Sequence, residues 1–241
     1  MSTRRKRTNQ MADSNKRKRP IYADTLTIRI GENSQPFIVH RDTVCRNSDY
    51  FEKLCRKDTA GKKLAGTTVE AGDGGVDLFD LYVDMLYHPE ADLYDTITTS
   101  KQHAASKNLQ ATSDQTTEVV LMMFQLWVLC DSLQDYKAQN AVMDAIVALP
   151  VQAICSSGPI IWVSTHTTAA TSPLARWLVD ALAPQLDSST QMITLLNELK
   201  GQLTADMWEL LLRAKVLPKF DAGPASKCRL HVHPTDADKC K

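Results

Sequence analysis

The stretch Val39–Phe51, VHRDTVCRNSDYF, decides how the rest of the chain is read. Just ahead of it, in DTLTIRI (residues 24–30), Leu26, Ile28 and Ile30 alternate with Thr25, Thr27 and Arg29. That period of two is the pattern of a strand with one buried face. GENSQP follows as a turn and FIVH as a second strand, so the two runs read as a hairpin. At His40 the period changes. Val44, Phe51, Leu54 and Cys55 fit two short helical turns, and Asn47 or Ser48 stands where a cap for the second belongs. The same stretch concentrates His40, Asp42, Cys45 and Ser48, the side-chain types from which hydrolases and metal sites are built. Catalysis is not what the pattern favours. Cys45 falls inside an amphipathic turn, where thiols are packed and inert, and nothing marks an oxyanion site. No Gly-x-Ser-x-Gly elbow, phosphate-cradling loop or dinucleotide fingerprint occurs in the chain. The expectation is a structural turn, with no catalytic residue assigned.

Working outward, residues 57–75 are rich in Gly, Lys and Thr, with TTVEA as a short strand. VDLFDLYVDMLYHP places Val76, Phe79, Val83 and Leu86 on one face of a helix stopped by Pro89, and ADLYD reads as extended. Residues 95–116 are polar and without pattern, and are expected to form a flexible insert. TEVVLMMFQLWVLCDSLQD and YKAQNAVMDAIVAL give a helical hairpin interrupted near Asp135. Met122, Met123, Phe124 and Trp127 lie together on its first helix, as core or interface packing rather than a ligand box. Residues 151–172 read as a linker holding at most one short helix. Residues 173–220 read as a helical extension of three segments, each opening at Ser, Thr or Pro and anchored in part by Trp177 and Trp208.

A hydrophobic fraction of 43% supports a real core and a charged fraction of 23% a solvated surface. No run of about eighteen apolar residues predicts a membrane span. The net charge of zero hides an asymmetry: residues 1–20 hold Arg4, Arg5, Lys6, Arg7, Lys16, Arg17, Lys18 and Arg19 against the single acid Asp13. This basic arm is expected to be disordered. Its two clusters form a bipartite arrangement suited to two acidic grooves of a nuclear import receptor; the alternative is a solvated arm touching nucleic acid non-specifically. No apolar stretch follows the arm, so it does not read as a secretory signal. The remaining residues carry the balancing negative charge, which makes the body a poor phosphate binder. Four of the six cysteines lie in apolar periodic segments and are expected to be reduced core residues in an intracellular protein.

Residues 221–241 carry the clustered metal-ligand types. Cys228, His231, His233 and Cys240 form Cys-x2-His-x-His-x6-Cys, four ligands that suit a tetrahedral structural zinc. Four protein ligands leave no open position, so no catalytic cofactor is expected there. The alternative is a reduced tail without metal.

DTLTIRIG, FIVHRDTVCRNSDYFEKLC, FDLYVDMLYHPEADL and LWVLCDSLQDYKAQNAVMDAI together resemble a BTB/POZ domain of the fungal type, over about Tyr22 to Leu149. The resemblance implies an α+β fold for residues 21–150, a small mixed sheet flanked by helices, continued by the helical extension. In such domains a His and a basic residue lead from a hairpin into a helix. A Ser starts the next helix, and a Phe packs into the core. That gives His40, Ser48 and Phe51 structural roles. It also matches Asp24 and Arg41 to the pair lining a charged pocket at the dimer groove; the alternative is an Asp leading into a strand and an ordinary surface Arg. The implied function is non-enzymatic protein–protein interaction in the nucleus, as adaptor or regulator, with protein partners that include a second copy of the chain. One alternative is a substrate adaptor of a cullin-type ubiquitin ligase. Cullin-binding relatives carry a hydrophobic-x-Glu element that KLCRKDTAGKKLAG here lacks. The other is a chromatin- or DNA-associated transcription factor using the basic arm.

Overall fold

The alternation in the first strand becomes its packing. In β1 (Thr25–Ile30), Leu26, Ile28 and Ile30 are buried while Thr25, Thr27 and Arg29 face solvent. β2 (Gln35–His40) pairs antiparallel with it, in a register running from Thr25 opposite His40 to Ile30 opposite Gln35. Gly31 follows β1 with φ +68, a backbone that a side chain would strain. β3 (Thr67–Val69) lies parallel on the other side of β1, giving the order β2-β1-β3. The computed structural model describes residues 24–31, 35–58, 67–69, 75–105, 113–169, 171–184, 190–216 and 230–233.

Helices supply the rest. α1 (Arg41–Asn47) and α2 (Asp49–Asp58) follow the hairpin, and α3 (Gly75–Tyr87) follows β3. α3 buries Leu78, Phe79, Leu81 and Tyr82, and the Phe79 ring meets Phe37 of β2 edge-on at 5.0 Å. The face expected from spacing, with Val76, Val83 and Leu86, is half-buried around that centre. α5 (Ser113–Ser132) and α6 (Tyr136–Val147) are the helical hairpin read from the sequence. No residue of α5 between Val119 and Cys130 is exposed. A helix apolar all round belongs at the centre of a fold, and α5 packs against α3, α6, α7 (Val151–Ile154) and α8 (Ser157–His166). α9 (Pro173–Leu182), α10 (Thr190–Leu199) and α11 (Ala205–Val216) complete the chain's helices among the described residues. The extension is joined to α5 by packing: Trp177 of α9 meets Phe124 edge-on at 6.3 Å. The fold is α+β, mostly helical with a small mixed sheet.

Two expectations are corrected. The segment 95–116, read as a patternless insert, is helical over most of its length: α4 (Leu93–Ala105) occupies its first part, and α5 begins at Ser113. ADLYD is the start of α4 rather than an extended piece. Asp92 caps this helix, its side chain accepting from Asp95 N at 3.0 Å, and among its described side chains, residues 93–99, Leu93 and Ile97 are the buried ones. Two apolar anchors one turn apart are too few to register as a period. Its threonines also depress helix propensity, although Thr96 and Thr98 bond back to the carbonyls of Asp92 and Tyr94. The 151–172 linker likewise holds a full helix, α8, besides the single turn of α7. Gly158 and Pro159 suggest a break there. Both lie in the first turn of α8, where proline's missing N–H costs nothing.

Candidate functional site

The corner between the hairpin and the first two helices brings the singled-out residues together. The Arg41 amide donates to the Asp24 carbonyl at 3.0 Å, which closes the end of the sheet. Its guanidinium reaches Asp24 Oδ2 at 3.5 Å and donates to the Cys55 carbonyl at 2.8 Å. Asp24 is 69% exposed and Arg41 21%. An ion pair this open adds little to stability, so it presents charge at the surface rather than holding the fold. Ile38, opposite Thr27 on edge strand β2, is 74% exposed.

His40 is fixed by a residue the sequence did not single out. Its amide donates to Tyr87 Oη at 2.9 Å, and its Nδ1 lies 2.8 Å from the same hydroxyl. Ser48 is buried between α1 and α2. Its hydroxyl accepts from the Phe51 amide at 3.2 Å, capping α2, and donates to the Leu133 carbonyl at 2.5 Å. The Asp49 and Tyr50 amides and Lys53 Nζ also bond to Leu133 and Gln134. Gln134 adopts φ +53, the left-handed turn that presents these carbonyls to α2. Phe51 is fully buried. His40, Ser48 and Phe51 are therefore architectural here.

Below the corner lies a buried polar link. Tyr82 Oη donates to Asp135 Oδ2 at 3.0 Å, and Asp135 Oδ1 accepts from the Ala138 amide at 2.9 Å as the cap of α6. Burial pushes the Asp135 carboxyl above its ordinary value of 3.8, against the opposing pull of these donors. Burial, reinforced by the Asp135 charge, pushes the Tyr82 phenol far up. Burial also raises the Cys130 thiol well above its usual range, which keeps it protonated and inert. Asp135 was legible as a break before a helix; its partner, distant in sequence, was not.

The expectation of four reduced cysteines is corrected at this corner, where Cys45 and Cys55 form a disulfide. α1 and α2 fold back on each other at Ser48, which brings the two sulfurs together. Apolar spacing cannot separate two packed thiols from a bonded pair.

At the other end of the helical hairpin, Leu230–His233 lie on α6. His231 Nε2 is 3.1 Å from Asp144 Oδ1, and the rings of His231 and His233 are 6.1 Å apart. Cys228 and Cys240 lie outside the described residues, as do the eight basic residues from Arg4 to Arg19. No group of three or more metal-ligating side chains stands together among the described residues. None of the described helices is long and apolar enough to cross a membrane. Comparison with known proteins adds no relative: no family model matches the chain, and no curated protein or solved structure matches it.

Proposed function

We propose that the chain is a BTB/POZ interaction module of the fungal type, acting in the nucleus as an adaptor or regulator without catalysis. The observation that carries this reading is the corner itself. His40 and Arg41 lead from the hairpin into α1, Ser48 caps α2, and Phe51 fills the core. That is the arrangement the resemblance implies. The recognition surface is the sheet end, where the Asp24–Arg41 pair gives orientation and Ile38 gives apolar area. The bipartite basic arm supports nuclear import.

Affinity purification from nuclear extract, compared between wild type and Asp24→Lys, tests this. Because Asp24 is largely exposed, the variant should keep its unfolding free energy within about 1 kcal/mol. Recovery of the wild type's nuclear partners should fall at least about tenfold, as like charges then face each other across the contact. Equal recovery by both proteins removes the Asp24–Arg41 face from the proposal. A cullin with its ring partner among the recovered proteins would make the chain a ligase adaptor instead.

A structural zinc held by Cys228, His231, His233 and Cys240 belongs to the same proposal. It is favoured by the Asp144 carboxylate on His231 Nε2, since an outer carboxylate commonly fixes the tautomer of a metal-bound imidazole. Elemental analysis of the purified chain should find about one zinc per molecule, lost in Cys228→Ser. A wild-type chain without zinc at neutral pH ends this part of the proposal.

A further inference from the structure

The disulfide between Cys45 and Cys55 ties α1 to α2 at the corner that carries the Asp24–Arg41 pair. It does not tie them alone. Arg41 stands one helical turn before Cys45 on α1. Its guanidinium donates at 2.8 Å to the carbonyl of Cys55, the other half of the bond. The disulfide and this hydrogen bond are therefore neighbouring ties between the same two helices, and the Arg41 charge is attached to both. Cys45 is half-buried and Cys55 is 8% exposed, so the Cys45 end is the more open of the two.

The fold has other means of holding this corner. Ser48 Oγ caps α2 through the Phe51 amide, and the Asp49 and Tyr50 amides reach the carbonyls of Gln134 and Leu133. Sγ of Cys45 also lies 3.4 Å from the Phe51 carbonyl, an acceptor already in place for the thiol that reduction creates. Opening the disulfide thus removes one tie and leaves the rest standing. In the nucleus, where thiols are kept reduced, a protein disulfide is usually transient and redox-sensing rather than structural.

We infer that Cys45–Cys55 is a reversible redox clip that sets how firmly Arg41 is presented at the recognition corner. The reductant is a small thiol of the glutathione class. Its thiolate attacks Sγ of Cys45, the S–S bond breaks, and Cys55 leaves as a thiolate that takes up a proton. A second thiol attacks the mixed disulfide, forms the oxidised reductant and releases Cys45, which is protonated in turn. Two electrons and two protons pass from the two thiols to the pair. In the oxidised chain Arg41 is held beside Asp24 and binding is favoured. In the reduced chain α1 and α2 part more readily, and Arg41 loses its fixed anchor. The effect on a partner rests on the interaction reading above; the change in the corner does not.

The test equilibrates the full-length chain in glutathione buffers from oxidising to reducing, traps free thiols by alkylation and maps them by mass spectrometry. Cys45 and Cys55 should titrate together as one two-electron transition, with the circular dichroism of the fold retained throughout. Hydrogen exchange across residues 41–55 should quicken several-fold on reduction, with α5 unchanged. The double variant Cys45→Ser/Cys55→Ser should exchange like the reduced chain in both buffers. Recovery of partners from nuclear extract should be several-fold greater for the oxidised chain than for the reduced one, and equal in both buffers for the double variant. Free thiols at both positions in oxidising buffer, unfolding on reduction, or exchange at residues 41–55 that ignores the redox state would each overturn the clip. Exchange that responds while recovery stays equal overturns its control of binding. Recovery of no partner by either form counts against the interaction reading alone, and the exchange measurement still decides the clip.

Discussion

Alanine in place of Phe51 is expected to cost about 3–5 kcal/mol of unfolding free energy, as large aromatic deletions in closed cores do. The ring is fully buried, and its backbone amide is the donor that Ser48 accepts to cap α2. Removing it empties core space beneath α2 while leaving the corner's hydrogen bonds nominally intact. The cavity therefore has no easy way to collapse. A whole domain is stable by only about 5–15 kcal/mol, so a loss on this scale takes much of the margin. Urea denaturation should show the midpoint falling with the slope unchanged. Leu212→Ala serves as the control, since that side chain is 63% exposed. A Phe51→Ala loss below about 1 kcal/mol would mean that the corner is not packed as described.

The second large effect lies in the buried pair beneath. Asp135→Ala removes the cap of α6 and strands the Tyr82 hydroxyl without its acceptor. The lost cap costs about 0.5–2 kcal/mol, and the buried hydroxyl without a partner about 1–3 kcal/mol more. Tyr82→Phe alone leaves the carboxylate with one donor fewer, so each single change exposes the other group. The double variant should therefore lose less than the sum of the two singles, and strict additivity would show that the pair is not coupled. The same carboxyl carries a pH signature. Its folded pKa is raised, so the native state binds more protons than the unfolded chain above the ordinary value of 3.8. The contribution from this titration is complete below that pH and is lost as pH rises through the folded value. Asp135→Asn does not titrate. The stability advantage of wild type over Asp135→Asn should narrow as pH is raised from about 4 toward neutrality, and a widening gap would reverse the assigned direction of the shift.

What could be read from the sequence was whatever is written in near neighbours. The alternation of Leu26, Ile28 and Ile30 states a half-buried strand, and the change of period after His40 states the helices that follow. Ser48, three residues before Phe51, is a cap in its own local grammar. α4 stayed hidden because, among its described side chains, Leu93 and Ile97 are the buried apolar ones in a run of threonines. α8 stayed hidden because Gly158 and Pro159 look like a break wherever they stand, and only the three-dimensional path places them in a first turn. The pairs that give the site its character join distant positions. Tyr82 and Asp135 are 53 residues apart, and Asn140 and Val232 are 92. No spacing rule links such residues. Asp24 and Arg41 were paired through the resemblance rather than through any pattern, and the sheet end places them side by side.

Assembly of this chain runs from near neighbours to distant ones. β2 returns to β1 across residues 31–34, a closure that takes microseconds in isolated hairpins. β3 reaches β1 at Ile28 and Thr67 only with α1 and α2 looped between them, and the Ser48–Leu133 bond joins residues 85 apart. Such non-local closures set the pace of folding. During synthesis from the N-terminus, the apolar face of Leu26, Ile28 and Ile30 therefore stands uncovered until α3, the helix that packs against β1, has been made. That interval is when a nascent chain of this design is open to aggregation and most in need of a chaperone.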